Sequence, residues 1–300
     1  MKANIDDVLV SDSEKTGFFT AKKRFNSHKV MLLVFLLFCA VFFLYPLIFV
    51  VVNSFRPNAA IIVNPLGLPN AVEYHKYGFS MMKNYVKAWQ EMQFPRVFLN
   101  TFLVTFLGTS GILLTSAMCA YGLVRNESKI SWFLYGFFAF SMVIPFQIIM
   151  VPIAVLASDL HIMNIPGLIP MYWGLGCPTA IFMFHGFIKS VPKELEESAA
   201  IDGAGKFYIF FVIIIPLIKT IIATVAVIDA LWLWNDFLLP MIVAKQGTIQ
   251  LAQMRFNGQF MKDYGPMCAS LTISSIPIIL FYLSLQKYII KGIAAGAVKG

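Results

Sequence analysis

Residues 30–52 form an uncharged, largely apolar run of 23 positions, and a run of that length and composition has few folded roles besides a helix across a lipid bilayer. Within hydrocarbon each backbone N–H and C=O must find a partner in the protein, which leaves helices and closed barrels as spanning structures. Five further apolar stretches fall near 98–124, 132–157, 167–188, 210–239 and 267–288. They predict an all-α, polytopic membrane protein with about six transmembrane helices. Of the 300 residues 59% are hydrophobic and 13% charged, about half the charge of a soluble domain. The expected organisation is a polar tail over 1–29, a first span over 30–52 and an external loop over 53–96. A membrane domain over 97–290 follows, interrupted by a polar loop at 190–216, with a short tail at 291–300.

Orientation follows from lysine and arginine, which concentrate on the cytoplasmic side of short loops. With the N-terminus inside, the inner segments hold fifteen such residues and the outer segments eight. Both termini are therefore expected in the cytoplasm, and the net charge of +8 is mostly a topology signal. No basic stripe interleaves with aromatics on a polar face, so nucleic acid is not an expected partner. Lys22-Lys23-Arg24 before an apolar run resembles a secretory signal. The run is too long for one, and Tyr45-Pro46-Leu47 offers no small-residue cleavage site, so an uncleaved first span is expected. Cys39, Cys119, Cys177 and Cys268 lack the close spacing of a metal site and read as packing residues. His161 and His185 are isolated and read as structural.

Pro46, Pro145, Pro152, Pro178 and Pro277 fall at membrane depth, where neighbouring helices can satisfy the freed carbonyls. Gly108 with Gly111, or Gly174 with Gly176, would allow close helix contact. These features describe a helix bundle and leave its task open.

The loop is more specific. Four of the chain's fifteen acids, Glu194, Glu196, Glu197 and Asp202, fall within nine residues. Ser190 and Pro192 suit a helix start, and the glutamates complement the positive end of the helix dipole. A short helix is expected to end at Ile201, with Asp202-Gly203 supplying the left-handed cap. A second helix is expected from Gly205, with Phe207, Phe210, Phe211 and Ile214 at helical spacing before Pro216. The small side chains of Ala199 and Ala200 permit close approach by another protein surface. The alternative is a plain connection between spans with solvated acids.

Glu197-Ser198-Ala199, three residues, Gly203, nine residues, Ile213, one residue and Ile215-Pro216 resembles the EAA loop of permease subunits in binding-protein-dependent ABC importers. Ser198 stands where that pattern has alanine and Ile215 where it has leucine, while the spacing is intact. Asp202-Gly203-Ala204 also matches. Trp234-Asn235-Asp236-Phe237-Leu238-Leu239-Pro240 and the C-terminal stretch 292–300 resemble carbohydrate importers of the maltose-permease family.

The resemblance implies a type I ABC importer permease fold and an ATPase-coupling role for Glu197, Ser198, Ala199, Asp202, Gly203, Ala204 and Pro216. It implies transport of a sugar or oligosaccharide across the bacterial cytoplasmic membrane by alternating access. The implied partners are a second, related permease subunit, an ATPase dimer and an extracytoplasmic sugar-binding protein. No phosphate-binding loop is present, since Gly203-Ala204-Gly205-Lys206 lacks its spacing. The chain is thus expected to be no enzyme and to bind no cofactor or metal, with ATP-Mg on the partner ATPase.

Trp232, Trp234, Asn235 and Asp236 are the candidate substrate contacts, with Tyr172 and Trp173 as further aromatics; each is equally explained as packing or as an interfacial anchor. The segment 244–264, carrying Gln250, Gln253, Arg255, Asn257 and Gln259, is either a docking or sugar-sensing loop or a solvated connection. A stand-alone secondary transporter is the alternative function. It needs embedded ionisable groups, for which Asp229 and Asp236, seven residues apart, are the candidates.

Overall fold

The computed structural model describes residues 27–78, 82–258 and 262–297. Most of the expected N-terminal tail, Gln259 and residues 298–300 lie outside them. The chain divides between Ile48 and Phe49 into two units. Helix α1, Ser27–Ser54, supplies the described part of the first. It is apolar around its whole circumference, with Pro46 inside, as suits a span surrounded by lipid.

The second unit begins with three short helices, α2 (Asn58–Val63), α3 (Ala71–Lys76) and α4 (Lys83–Glu91), where the expectation was an external loop. Arg56 organises them. Its guanidinium is fully buried and reaches Glu73 (Nη2 to Oε1 2.8 Å), Asn53 Oδ1 (3.0 Å) and the Asn64 carbonyl (2.8 Å). Asn84 Nδ2 donates to the carbonyls of Ser54 and Arg56, both at 2.8 Å. A buried charge is tolerated only when paired and hydrogen-bonded, and these bonds supply that.

Helix α5 (Phe94–Arg125) opens with Pro95 in its first turn, where the missing N–H costs nothing. Its main partner is α8 (Ile165–Ile188), started by Asn164, whose side chain accepts from Gly167 N at 2.8 Å. Ile112, Ala117 and Ala120 meet Leu168, Tyr172, Ala180 and Phe184 in the main buried cluster. A Cβ on Gly111 would collide with the Trp173 indole, and one on Gly176 would lie 2.5 Å from Ile112 Cδ1. The expected pair Gly174 and Gly176 thus divides in role, because Gly174 faces open space.

Two expected spans are bent. Helices α6 (Lys129–Ser141) and α7 (Phe146–Asp159) meet at 103°, with Pro145 in extended conformation at the break rather than within a helix. After the polar loop, α10 (Lys206–Tyr208) passes into a π-helical turn, Ile209–Ile214, then α11 (Ile215–Leu217) and α12 (Lys219–Asn235). The stretches Lys206–Leu217 and Lys219–Asn235 are bent by 78° about Ile218. Pro216 lacks an N–H and its ring crowds the carbonyl four residues back, so the turn before it widens. The described residues hold four helices long and apolar enough to cross a membrane, or six if each bent pair is one span. Helices α13 (Leu238–Val243) and α14 (Ile249–Gln253) lead to α15 (Tyr264–Ala297), which takes in most of the expected C-terminal tail.

Candidate functional site

Helix α9, Glu194–Ile201, is the polar loop's short helix. It starts at Glu194 with Lys193 as N-cap, two residues after the expected proline start. Its other end is a Schellman cap: Ala204 N donates to the Ala199 carbonyl at 2.9 Å and Gly203 N to that of Ala200 at 3.1 Å. Gly203 takes φ +86°, in the left-handed region where a side chain is strained. Asp202 therefore ends the helix, and Gly203 turns the chain toward α10.

The three glutamates differ in their surroundings. Glu194 and Glu197 are exposed, which matches solvated acids. Glu196 turns inward, where its Oε2 accepts from Tyr121 Oη at 2.6 Å and its Oε1 from Arg125 Nε at 2.7 Å. Arg125 also donates through Nη2 to the Val191 carbonyl at 3.1 Å. Glu196 thus ties α9 to the last turn of α5. The spacing 121/125 places both donors on one helix face, but nothing in a single sequence pairs them with a residue 71 positions away. A second link, Lys193 to Glu127 at 2.5 Å, is exposed and holds the Glu127 carboxyl below its usual range through that hydrogen bond.

The expected loop residues share one neighbourhood in chain but not in environment. Glu197, Ser198, Asp202 and Gly203 are exposed, Ala199 and Ala204 half-buried, and Pro216 lies beyond the π turn, exposed. The apolar side chains of Ile201 (86% exposed), Phe207 (72%) and Leu195 (46%) stand open beside them. Immediately after, Ile209, Phe210, Ile214 and Ile218 are buried, with Phe210 tilted against Tyr121 at 5.3 Å between centroids.

The candidate substrate contacts separate. Trp234 is buried, donates Nε1 to the Ser274 carbonyl at 3.3 Å and meets Phe98 edge-on. Tyr172 is buried and donates to Asp236 Oδ2 at 2.8 Å, while Leu238 N donates to Asp236 Oδ1. Asn235 donates to the Leu231 carbonyl one turn back and is exposed, as is Trp232. Trp173 donates to the Leu107 carbonyl at 3.1 Å. Trp232 and Asn235 are therefore the two of the four open to a ligand here.

Asp229 and Asp236 do not share a helix. Asp236 is the C-cap of α12, in extended conformation, so the periodicity argument ends at Asn235. Asp229 is buried in α12, and its Oδ2 has no hydrogen-bond partner among the described residues.

The segment 244–264 is structured where described. Gln250 donates to the Trp234 carbonyl, Gln253 to Ser274 Oγ at 3.2 Å and Arg255 to the Glu91 carbonyl. Asn257 forms an isolated bridge with Lys262. These side chains knit the segment to α4, α12 and α15 rather than leaving it a solvated connection.

Residues 111–295 match the family described as binding-protein-dependent transport system inner membrane component. The chain is 35% identical over 257 residues to a probable starch degradation products transport system permease protein, AmyC, of Thermoanaerobacterium thermosulfurigenes, covering 85% of this chain and 91% of that one. It is 36% identical over 263 residues to the multiple sugar-binding transport system permease protein MsmG of Streptococcus mutans, covering 85% and 92%. In fold it is similar to a chain of a bacterial ABC transporter involved in the import of the acidic polysaccharide alginate, with TM-score 0.72, 23% identity, and coverage of 91% of this chain and 99% of that one. A span-rich helical chain, matched along nearly the whole length of these permeases, belongs to the family of inner-membrane components of binding-protein-dependent transport systems and is a membrane permease subunit.

Proposed function

We propose that this chain is a permease subunit of an ATP-driven sugar or oligosaccharide importer of the bacterial cytoplasmic membrane, and that α9 is its coupling helix. The observation that carries the reading is the surface of α9 and its flank. Leu195 and Ile201 of α9 are exposed outside the apolar spans, near Glu197 and Gly203 in the chain, and Phe207, at the start of the bent span that follows, is exposed as well. Apolar side chains clustered on a polar loop mark a protein contact. A separate ATPase dimer carrying ATP-Mg sits against that surface, and its closure moves α9. The tie from Glu196 to Arg125 passes the motion to α5, and two related permeases rock between inward- and outward-facing states. Both termini are cytoplasmic, the external binding protein delivers the sugar on the opposite side, and this chain binds no cofactor itself. The names of the permeases it resembles support a carbohydrate cargo.

Gly203→Val tests the reading in the assembled complex. A β-branched residue at φ +86° is strained, whereas Asn tolerates that region. Gly203→Val is expected to lower sugar uptake and uncouple it from ATP hydrolysis, with Gly203→Asn close to wild type. Unchanged uptake and hydrolysis in Gly203→Val would overturn the assignment.

One observation favours a stand-alone ion-coupled transporter, the carboxyl oxygen of Asp229 that has no hydrogen-bond partner among the described residues. Asp236, with both oxygens bonded, does not. Uptake by this chain alone in liposomes under an ion gradient, without ATP, would select that reading.

A further inference from the structure

A second feature lies beside the coupling loop. Where the turn from α5 to α6 meets the junction of α8 and α9, an open cavity of about 1040 Å³ is lined by residues 123–135 and 185–194. Four cations line it, Arg125, Lys129, Lys189 and Lys193, against two acids, Glu127 and Glu194. Arg125 is held by Glu196 and Lys193 by Glu127, whereas Lys129 and Lys189 form no ion pair among the described residues. With Glu196 counted against Arg125, four cations face three acids, and the site keeps a net charge of +1 and two exposed ammonium groups outside any ion pair among the described residues.

Its level is that of a membrane surface. The spans α5 and α8 end at Arg125 and Ile188, so the lysines fall where hydrocarbon gives way to headgroups. Trp132, 80% exposed, lies on the rim, as interfacial tryptophans do. Inside, the Tyr135 ring stacks on His185 at 3.9 Å, and just beyond the lining it stacks on Phe182 at 6.1 Å, so an aromatic strip leads out of the cavity. A soluble anion would use the charges and leave the strip idle. A phospholipid uses both, with its phosphate at Lys129 and Lys189 and an acyl chain along α6.

We propose that this cavity, beside α9, is a binding site for the phosphate headgroup of an anionic glycerophospholipid. It stands independently of the cargo and of the ATPase assignment. The phosphate chemistry is shared with free inorganic phosphate, so both are probed.

The test uses the assembled transporter in nanodiscs of phosphatidylcholine containing a photoreactive phosphatidylglycerol. Crosslinking to the peptides around 126–135 and 185–194 is quantified by mass spectrometry. Crosslinking is expected to be competed by unlabelled phosphatidylglycerol and not by added phosphatidylcholine or inorganic phosphate. Each lysine near an anionic surface is worth about fivefold in binding, so K129Q and K189Q should each weaken crosslinking about fivefold and the pair together roughly thirtyfold. The charge-preserving pair K129R and K189R should retain it, which separates lost charge from lost folding; if the double glutamine variant fails to assemble, the single variants decide. Wild-type crosslinking in the glutamine variants, or equal competition by phosphatidylcholine, would overturn the proposal. Competition by inorganic phosphate would reassign the cavity to a free anion and also overturn it.

Discussion

Removing the Glu196 carboxylate should release α9 from α5 while leaving the rest of the bundle folded. Glu196→Ala leaves the Arg125 guanidinium with the Val191 carbonyl as its remaining acceptor among the described residues and strips Tyr121 of the Glu196 carboxylate. Breaking a buried ion pair from one side costs about 3–5 kcal/mol, because an uncompensated charge remains. The side chains here keep 15% and 12% exposure, so water reaches them and the lower end, about 3 kcal/mol, applies. That corresponds to roughly 150-fold in the docking equilibrium of α9. The exposed Lys193–Glu127 pair replaces little of it, since solvent screens both of its charges. Hydrogen exchange over residues 194–204 in nanodiscs reads the effect: protection should fall by about that factor, with protection of α8 unchanged. Arg125→Ala should behave alike, and the double variant should cost less than the sum of the singles. Wild-type protection in Glu196→Ala, or strict additivity, would refute the tether.

Three further outcomes are expected. Gly111→Ala places a Cβ against the Trp173 indole and should lower thermal stability by about 1–3 kcal/mol, whereas Gly174→Ala, facing open space, should be tolerated; equal effects in melting experiments would contradict the packing. Arg56→Ala leaves Glu73, Asn53 and the Asn64 carbonyl short of their donor, costing about 3–5 kcal/mol, and should open 53–78 to protease before the spans unfold. The Asp263 carboxylate accepts a hydrogen bond from Lys87 and holds its ammonium above the usual lysine range, against the smaller opposing effect of burial. The pair's stabilisation is accordingly present below the unfolded value near 10.5 and lost as pH rises through the folded one. Asp263→Asn should therefore make Lys87 acylate faster at mildly alkaline pH in competitive labelling, and an unchanged rate would contradict the pairing.

Much of the site was legible because it depends on local chemistry. The end of α9 at Ile201 follows from Gly203, which alone among its neighbours adopts a left-handed cap without strain. Spans were legible as runs, since a bilayer demands length and apolarity and little else. Their continuity was not: Pro145 reads as a proline within a span and Pro216 as the end of the polar loop, while the structure breaks the first helix pair by 103° and bends the second by 78°. Single-sequence pattern likewise left residues 53–96 as a loop, because Arg56 becomes a core residue only through acceptors scattered between Asn53 and Glu73.

The sequence by itself determined the membrane class, the number of apolar runs and the short capped helix, because each is set by residues within one or two turns of one another. Tertiary structure alone decided which glutamate of α9 is anchored, which glycines meet another helix, that Trp234 is buried and that Asp236 is held by Tyr172. Those outcomes depend on groups brought together from distant parts of the chain, and burial gives such contacts their energy only once the helices have packed.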